Sequence, residues 1–208
     1  LGVGIEQGIL AGVGASLVWH AYKTTKPHIA VLGRIPGTTS YRNVLRHADA
    51  RTVPGILCLR IDSQFYYGNV TFLRQILRDL EAEMEEPLRA VVLDASSVNQ
   101  LDSSADSALH DIVDQYQARG VDLYLAKAKG PVLDVMQRSS LYQKLGEQHF
   151  TYRVHEAMLA AVSDKYEGAE LETLEREDPR TPPSDSVPSM RKIVSVRPGD
   201  YPQGSEES

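Results

Sequence analysis

The sequence predicts an α/β fold: a mostly parallel or mixed sheet of four to six strands, layered with about four helices. Three observations carry that expectation. Short apolar runs of strand length recur between stretches whose apolar residues fall at a helical period. The two kinds alternate along most of the chain, the order that strand–crossover–strand units require. Finally, 42% apolar and 24% charged residues among 208 are the proportions of a folded globular chain, sized for one domain with residues to spare.

Residues 1–22, LGVGIEQGILAGVGASLVWHAY, contain one acid, Glu6, and no Lys or Arg. A bilayer crossing takes about 20 apolar residues, and a secretory leader would begin with basic residues that are missing here. Because the chain opens on Leu1 rather than Met, we expect it to be the C-terminal part of a longer polypeptide, and residues 1–22 to be the end of its last transmembrane helix. Gly4, Gly8, Gly12 and Ser16 recur every fourth position and so share one helix face, the pattern of close helix packing in lipid. In water the glycines Gly2, Gly4, Gly8, Gly12 and Gly14 would each cost a helix roughly 0.5–1 kcal/mol against alanine. The competing reading is a Gly-rich buried helix of a soluble protein. Trp19 and Tyr22 suit a membrane interface, and Lys23, Lys26 and Arg34 then mark the cytoplasmic side. Residues 23–27 are accordingly a basic cytosolic linker.

The alternating α/β segment covers residues 28–166. Its strands are expected at His28–Leu32, Ile56–Ile61, Ala90–Asp94, Val121–Ala126 and Phe150–Val154, with a short one near Ser40–Val44 after the turn at Pro36-Gly37. The first two pieces thus form a hairpin. One helical stripe runs through Leu73, Ile76, Leu77, Leu80 and Met84, and a second through Ala105, Ala108, Leu109, Ile112, Val113 and Tyr116. A third helix follows Gly130-Pro131, where proline needs no N–H partner, through Val132, Leu133 and Met136. A fourth carries Met158, Ala161 and Val162. From 167 to 208 the composition changes: EGAELETLERED has six acids against one Arg, and six of the eleven prolines lie beyond residue 178. Such a segment buries too little apolar surface to offset its ordering entropy. An acidic, Pro-rich disordered tail is expected, with Ile193–Val196 as a short docking strand.

Several function classes are excluded by composition and spacing. The net charge of −6 and the lack of any basic stripe argue against nucleic-acid binding. A single cysteine, Cys58, sits in the apolar run Ile56–Leu59 and is read as a buried small hydrophobe rather than a reactive thiol. His20, His28, His47, His110, His149 and His155 show no metal spacing. No G-x-S-x-G elbow occurs, and the Gly-x-Gly pairs near the start follow no strand, so no dinucleotide fingerprint exists. The acids Glu81, Glu83, Glu85 and Glu86 are a solvated helix end. No enzyme activity, cofactor or metal is expected.

The segment with the most information is 88–113, LRAVVLDASSVNQLDSSADSALHDIV. A strand ending in Asp94 leads through a short loop to Asp102-Ser103-Ser104, which opens an amphipathic helix. Free N–H groups and the helix dipole make that position favourable for negative charge. The structural reading is a cap: Asp102 as N-cap, or Ser103 as N-cap with Asp106 closing a capping box. The functional reading is a phosphoacceptor, Ser103 first and Ser104 second, whose modification would reverse the local potential. Asp94 and Asp102 would then position the hydroxyl or a kinase-bound Mg²⁺.

The run VVLDASSVNQLDSSADSALHDI resembles the STAS pattern of strand, Asp, loop, Asp-Ser-Ser and helix. Gly120–Ala126 is similar to that domain's next strand, and Leu133–Gly146 and His149–Met158 to its later elements. The apolar start and the linker Lys26–Gly33 resemble the junction of the last membrane helix with the STAS domain in SulP anion permeases. One departure is Ala105, which stands where the family has glycine. The resemblance implies a STAS-like sheet at 28–166 and the cytosolic regulatory or contact portion of a secondary active carrier for an inorganic anion of the sulphate type. It further implies a multi-pass protein of the plasma (cell inner) membrane, with domain and tail in the cytoplasm. Its partners would be the bilayer through residues 1–22, the transmembrane domain of the same polypeptide, a second copy in a homodimer and a cytosolic protein, with no nucleic acid. The alternative is a soluble STAS regulator of the anti-sigma-factor antagonist type, switched by phosphorylation of Ser103.

Overall fold

The computed structural model describes residues 4–24, 29–62, 65 and 67–165. The tail at 167–208, its expected docking strand and most of the linker therefore lie outside the described residues. Helix α1 (Ile5–Thr24) is followed by β1 (Ile29–Arg34), β2 (Tyr41–Asn43), β3 (Ile56–Ile61), α2 (Tyr67–Ala82), β4 (Ala90–Asp94) and α3 (Ser103–Gln117). Then come β5 (Asp122–Ala126), α4 (Gly130–Arg138), α5 (Leu141–Leu145), a 3₁₀ turn at Glu147–His149, β6 (Phe150–Thr151) and α6 (Val154–Lys165).

The sheet order is β2-β1-β3-β4-β5-β6. Strands β3 to β6 run parallel, while β1 is antiparallel to both its neighbours. Alternation along each strand sorts the core into two faces. Leu57, Leu59, Ile61, Val91, Leu93, Leu123 and Leu125 face one way, under α2, α3, α4 and α5. Ile56, Cys58, Ala90, Val92, Tyr124 and Ala126 face the other way, under α6 alone. The continuous apolar runs of β3 and β4 follow from burial on both faces.

Two glycines have steric work to do. At Gly33 an added Cβ would come within 2.9 Å of the Ala50–Arg51 backbone, where Arg34 and Arg51 exchange backbone hydrogen bonds of 2.7 and 2.9 Å. Gly120, at φ +70°, turns the chain from α3 into β5.

Two expectations are revised. The fourth helix begins at Val154, so the last strand stops at Thr151. The third helical stretch is two helices, broken at Ser140 with φ 67°, which a 3.6-residue period cannot reveal. With α1 and α5 there are six α-helices among the described residues. At the start of the chain α1 forms, and no helix among the described residues is by itself long and apolar enough to cross a membrane. Gly8, Gly12, Gly14, Glu6 and Gln7 dilute its hydropathy below that of a complete span. Its apolar side chains are nonetheless exposed on all sides, with Ile5 85%, Leu10 72% and Val18 71% accessible. No added Cβ at Gly4, Gly8, Gly12 or Gly14 would meet anything within 4 Å.

Candidate functional site

The polar groups gather at the carboxyl edge of the parallel strands. Register places Arg60 opposite Asp94 and Asp94 opposite Ala126, and β6 extends the edge with Thr151. The first residue of β1, Ile29, pairs with Ile61, so the chain enters the sheet at this same edge.

Asp94 ends β4 with its side chain on the α6 face, because Leu93 before it faces the opposite core. It is 4% exposed. One carboxylate oxygen accepts the Ser96 N–H at 3.1 Å, and the other lies 3.3 Å from Lys127 Nζ. Lys127 leaves β5 with φ 58° and donates its N–H to the Thr151 carbonyl, which fixes where its side chain starts. Arg60 reaches Asp62 through Nε at 2.8 Å and Nη2 at 3.1 Å, and the hydrogen bond with Asp62 raises its already high pKa. Beneath them Cys58 is buried, and desolvation, followed by the Asp94 charge, pushes its thiol well above the usual range. It is an inert core side chain.

On the opposite face lies the start of α3. Phe65 donates its N–H to the Gln100 carbonyl, and Asp102 donates its own to the Phe65 carbonyl, both at 3.1 Å. Asp102, with extended backbone, accepts the Ala105 N–H at 2.6 Å. It is therefore the N-cap. The capping-box alternative does not form, since Asp106 is buried and accepts the Ser139 hydroxyl at 2.9 Å. Ala105 is fully buried, so its methyl group packs into the core. Ser103 and Ser104 stand exposed on the first turn.

The structure therefore keeps Asp102, Ser103 and Ser104 together and points Asp94 elsewhere. The expectation that Asp94 helps to position a Ser103 hydroxyl is corrected by strand parity: its carboxylate is engaged by Lys127 across the sheet. Gly4, Gly8, Gly12 and Ser16 lie on the exposed α1, apart from both places.

What sequence reasoning missed is a cavity of about 400 Å³ on the α6 face, bordered by Tyr41, Arg42, Arg60, Asp94, Lys127, Arg153 and His155. Tyr41 Oη and His155 Nδ1 are 3.1 Å apart across one wall. A usable signal was present. Arg60, Asp94 and Lys127 each stand at or just past the carboxyl end of an expected strand, where open α/β sheets gather ligands.

Comparison with known proteins gives a consistent picture. Residues 47–157 match the family model described as the STAS domain. "Probable sulfate transporter 4.2" of Arabidopsis thaliana is 38% identical over 168 residues, covering 76% of this chain and 25% of that protein. "Sulfate transporter 4.1, chloroplastic", from the same plant, is 37% identical, with 74% and 24% covered. The chain thus spans about a quarter of the length of these relatives. Among solved structures, the murine Slc26a9 anion transporter in its inward-facing state superposes with a TM-score of 0.63 at 21% identity, covering 74% of this chain and 25% of that one. This last likeness establishes the fold alone.

Proposed function

The chain belongs to the STAS domain family, in its sulfate-transporter branch, and from that premise we propose that it is the cytosolic regulatory and contact portion of a secondary active carrier for an inorganic anion of the sulfate type. The relatives are transporters by name rather than enzymes. Transport itself belongs to membrane segments that this chain does not contain, so its own work is to couple, dimerise and dock.

The observation that carries the proposal is the pairing of two unlike solvents in one chain. Helix α1 exposes Ile5, Ile9, Leu10, Val13, Leu17, Val18 and Trp19 together, and exposed apolar surface on that scale marks a contact with lipid or protein. After four intervening residues β1 begins, its residues buried from Ile29 to Gly33. We place α1 as the distal part of the last membrane helix, its Gly4/Gly8/Gly12/Ser16 face against a neighbouring span. Residues 25–28 can bridge at most about 18 Å, so the carboxyl edge of the sheet stands next to that helix end. Dimerisation, contact with the transmembrane domain and recruitment of a cytosolic protein would all act through the folded domain. Ser103, exposed at the start of α3, is the residue on which phosphorylation would act.

We propose the plasma membrane as the location, with domain and tail on the cytoplasmic side. The test takes the full-length parent, separates plasma-membrane, plastid-envelope and soluble fractions, and measures labelled sulfate uptake in cells lacking their own carrier. Uptake with the parent in a membrane fraction supports the reading. An alkaline-extractable, soluble parent without uptake would overturn it, and an envelope location would move the carrier while keeping its function. Phosphopeptide mapping with and without Ser103→Ala tests the modification.

A further inference from the structure

We propose that the cavity on the α6 face is a binding site for a tetrahedral oxyanion, the sulfate or phosphate group of a free ion or of a lipid headgroup. Arg42, Arg60, Lys127 and Arg153 bring four permanent positive charges to it, against the carboxylates of Asp94 and Glu156. In a chain whose net charge is −6, that local excess of cations arises only because β2, β3, β5 and the start of α6 converge.

The two acids are already occupied. Asp94 accepts from Ser96 and faces Lys127, while Glu156 turns one oxygen back to the Arg153 N–H at 3.2 Å and holds the other 3.8 Å from the Arg153 Nε. Asp62 holds Arg60 from the rim, which leaves that guanidinium's remaining N–H groups for a second acceptor. Arg42 makes no ion pair among the described residues and its side chain is exposed. The first turn of the twelve-residue α6 adds N–H groups that are not used within the helix, and the positive end of its dipole. A volume near 400 Å³ exceeds what one oxyanion fills, so a free ion would retain part of its water, and a headgroup would still fit. The edge on which the cavity opens is the one where β1 enters, within reach of the end of α1.

This inference does not depend on the carrier reading: a parent that fails to transport sulfate leaves it standing, and an unoccupied cavity leaves transport untouched. The test uses the whole 208-residue chain. Thermal unfolding is followed against inorganic sulfate and inorganic phosphate, at an ionic strength held constant with chloride, for the wild type, Arg42→Ser/Arg153→Ser, Arg153→Lys, and Arg138→Ser on α4 as a control. In parallel, sedimentation with phosphatidylcholine vesicles, with and without phosphatidylglycerol, compares the wild type with the double variant. Helix α1 contributes equally to both, so their difference reads the cavity. For a free ion, the midpoint rises saturably with sulfate or phosphate. The double variant weakens the response about tenfold or more, as expected when two charge-assisted contacts are lost, while Arg153→Lys and Arg138→Ser retain it. For a headgroup, only the phosphatidylglycerol-dependent sedimentation falls in the double variant. Equal responses of wild type and double variant in both arms would overturn the proposal.

Discussion

The two faces of the sheet are built from the same strands and covered very differently. On the first, α2, α3, α4 and α5 press on Leu57, Leu59, Leu93 and Leu125, and its polar groups serve structure. Asp102 caps α3, Asp106 takes the Ser139 hydroxyl, and Arg119 pairs with Glu81 while its guanidinium lies 5.9 Å from the Tyr116 ring. On the second, α6 alone lies across the strands and packs through Val154, Ala157, Met158, Ala161 and Val162. It leaves the charged strand ends uncovered. A single helix cannot shield a twisted sheet of six strands, and the uncovered part is where cations collect.

That contrast can be broken by substitution, and the largest effect belongs to the covered face. Leu93 is 1% exposed, and Leu93→Ala should lower the unfolding free energy by about 3 kcal/mol, through lost burial plus a cavity that four helices hold open. Chemical denaturation with an unchanged m-value is the measurement; a loss below about 1 kcal/mol would mean that this face collapses as easily as the other.

Next comes Cys58, under α6. Cys58→Ser buries a hydroxyl at 3% exposure and should cost about 1–3 kcal/mol, while thiol reagents should leave the folded wild type unlabelled. Rapid labelling of native protein would show that the α6 face opens by itself.

The cap gives a smaller change. Asp102→Ala should lose about 1 kcal/mol, whereas Ser103→Ala should stay within about 0.5 kcal/mol. The reverse order in thermal melts would make Ser103 the cap and remove its availability for modification.

The last effect is silent near neutral pH. Burial first, and then the Glu81 charge, pushes the Tyr116 hydroxyl up to about 12, against the pull of Arg119 and Arg78. With the folded pKa raised above the unfolded value of 10.0, the stabilisation is complete below that pH and is lost as pH climbs towards the folded value. Urea midpoints between about pH 9 and about pH 11.5 should fall more steeply for the wild type than for Tyr116→Phe. Parallel slopes would place the phenol in contact with water.

Much of this was legible in the residues. The strands Ile56–Ile61 and Ala90–Asp94 were legible from the unbroken apolar runs Ile56–Leu59 and Ala90–Leu93, which burial on both faces demands. The start of α3 was legible because Asp-Ser-Ser before an apolar period is a local capping signal. The break at Ser140 was hidden, as its left-handed backbone carries no glycine to announce it. Val154 was given to a strand because a β-branched residue after Phe150 and Tyr152 suits a strand as well as a helix start.

The sequence by itself determined most of the strands and helices, which residues line a core, where α3 starts, and that α1 is unlike everything after it. These depend on neighbours three or four positions apart, and local chemistry suffices. Only the tertiary structure decided that Asp94 turns away from Ser103, and that Arg42, Arg60, Lys127 and Arg153 share one cavity. Strand parity and sheet order bring together residues separated by dozens of positions, and no local pattern in the chain encodes that meeting.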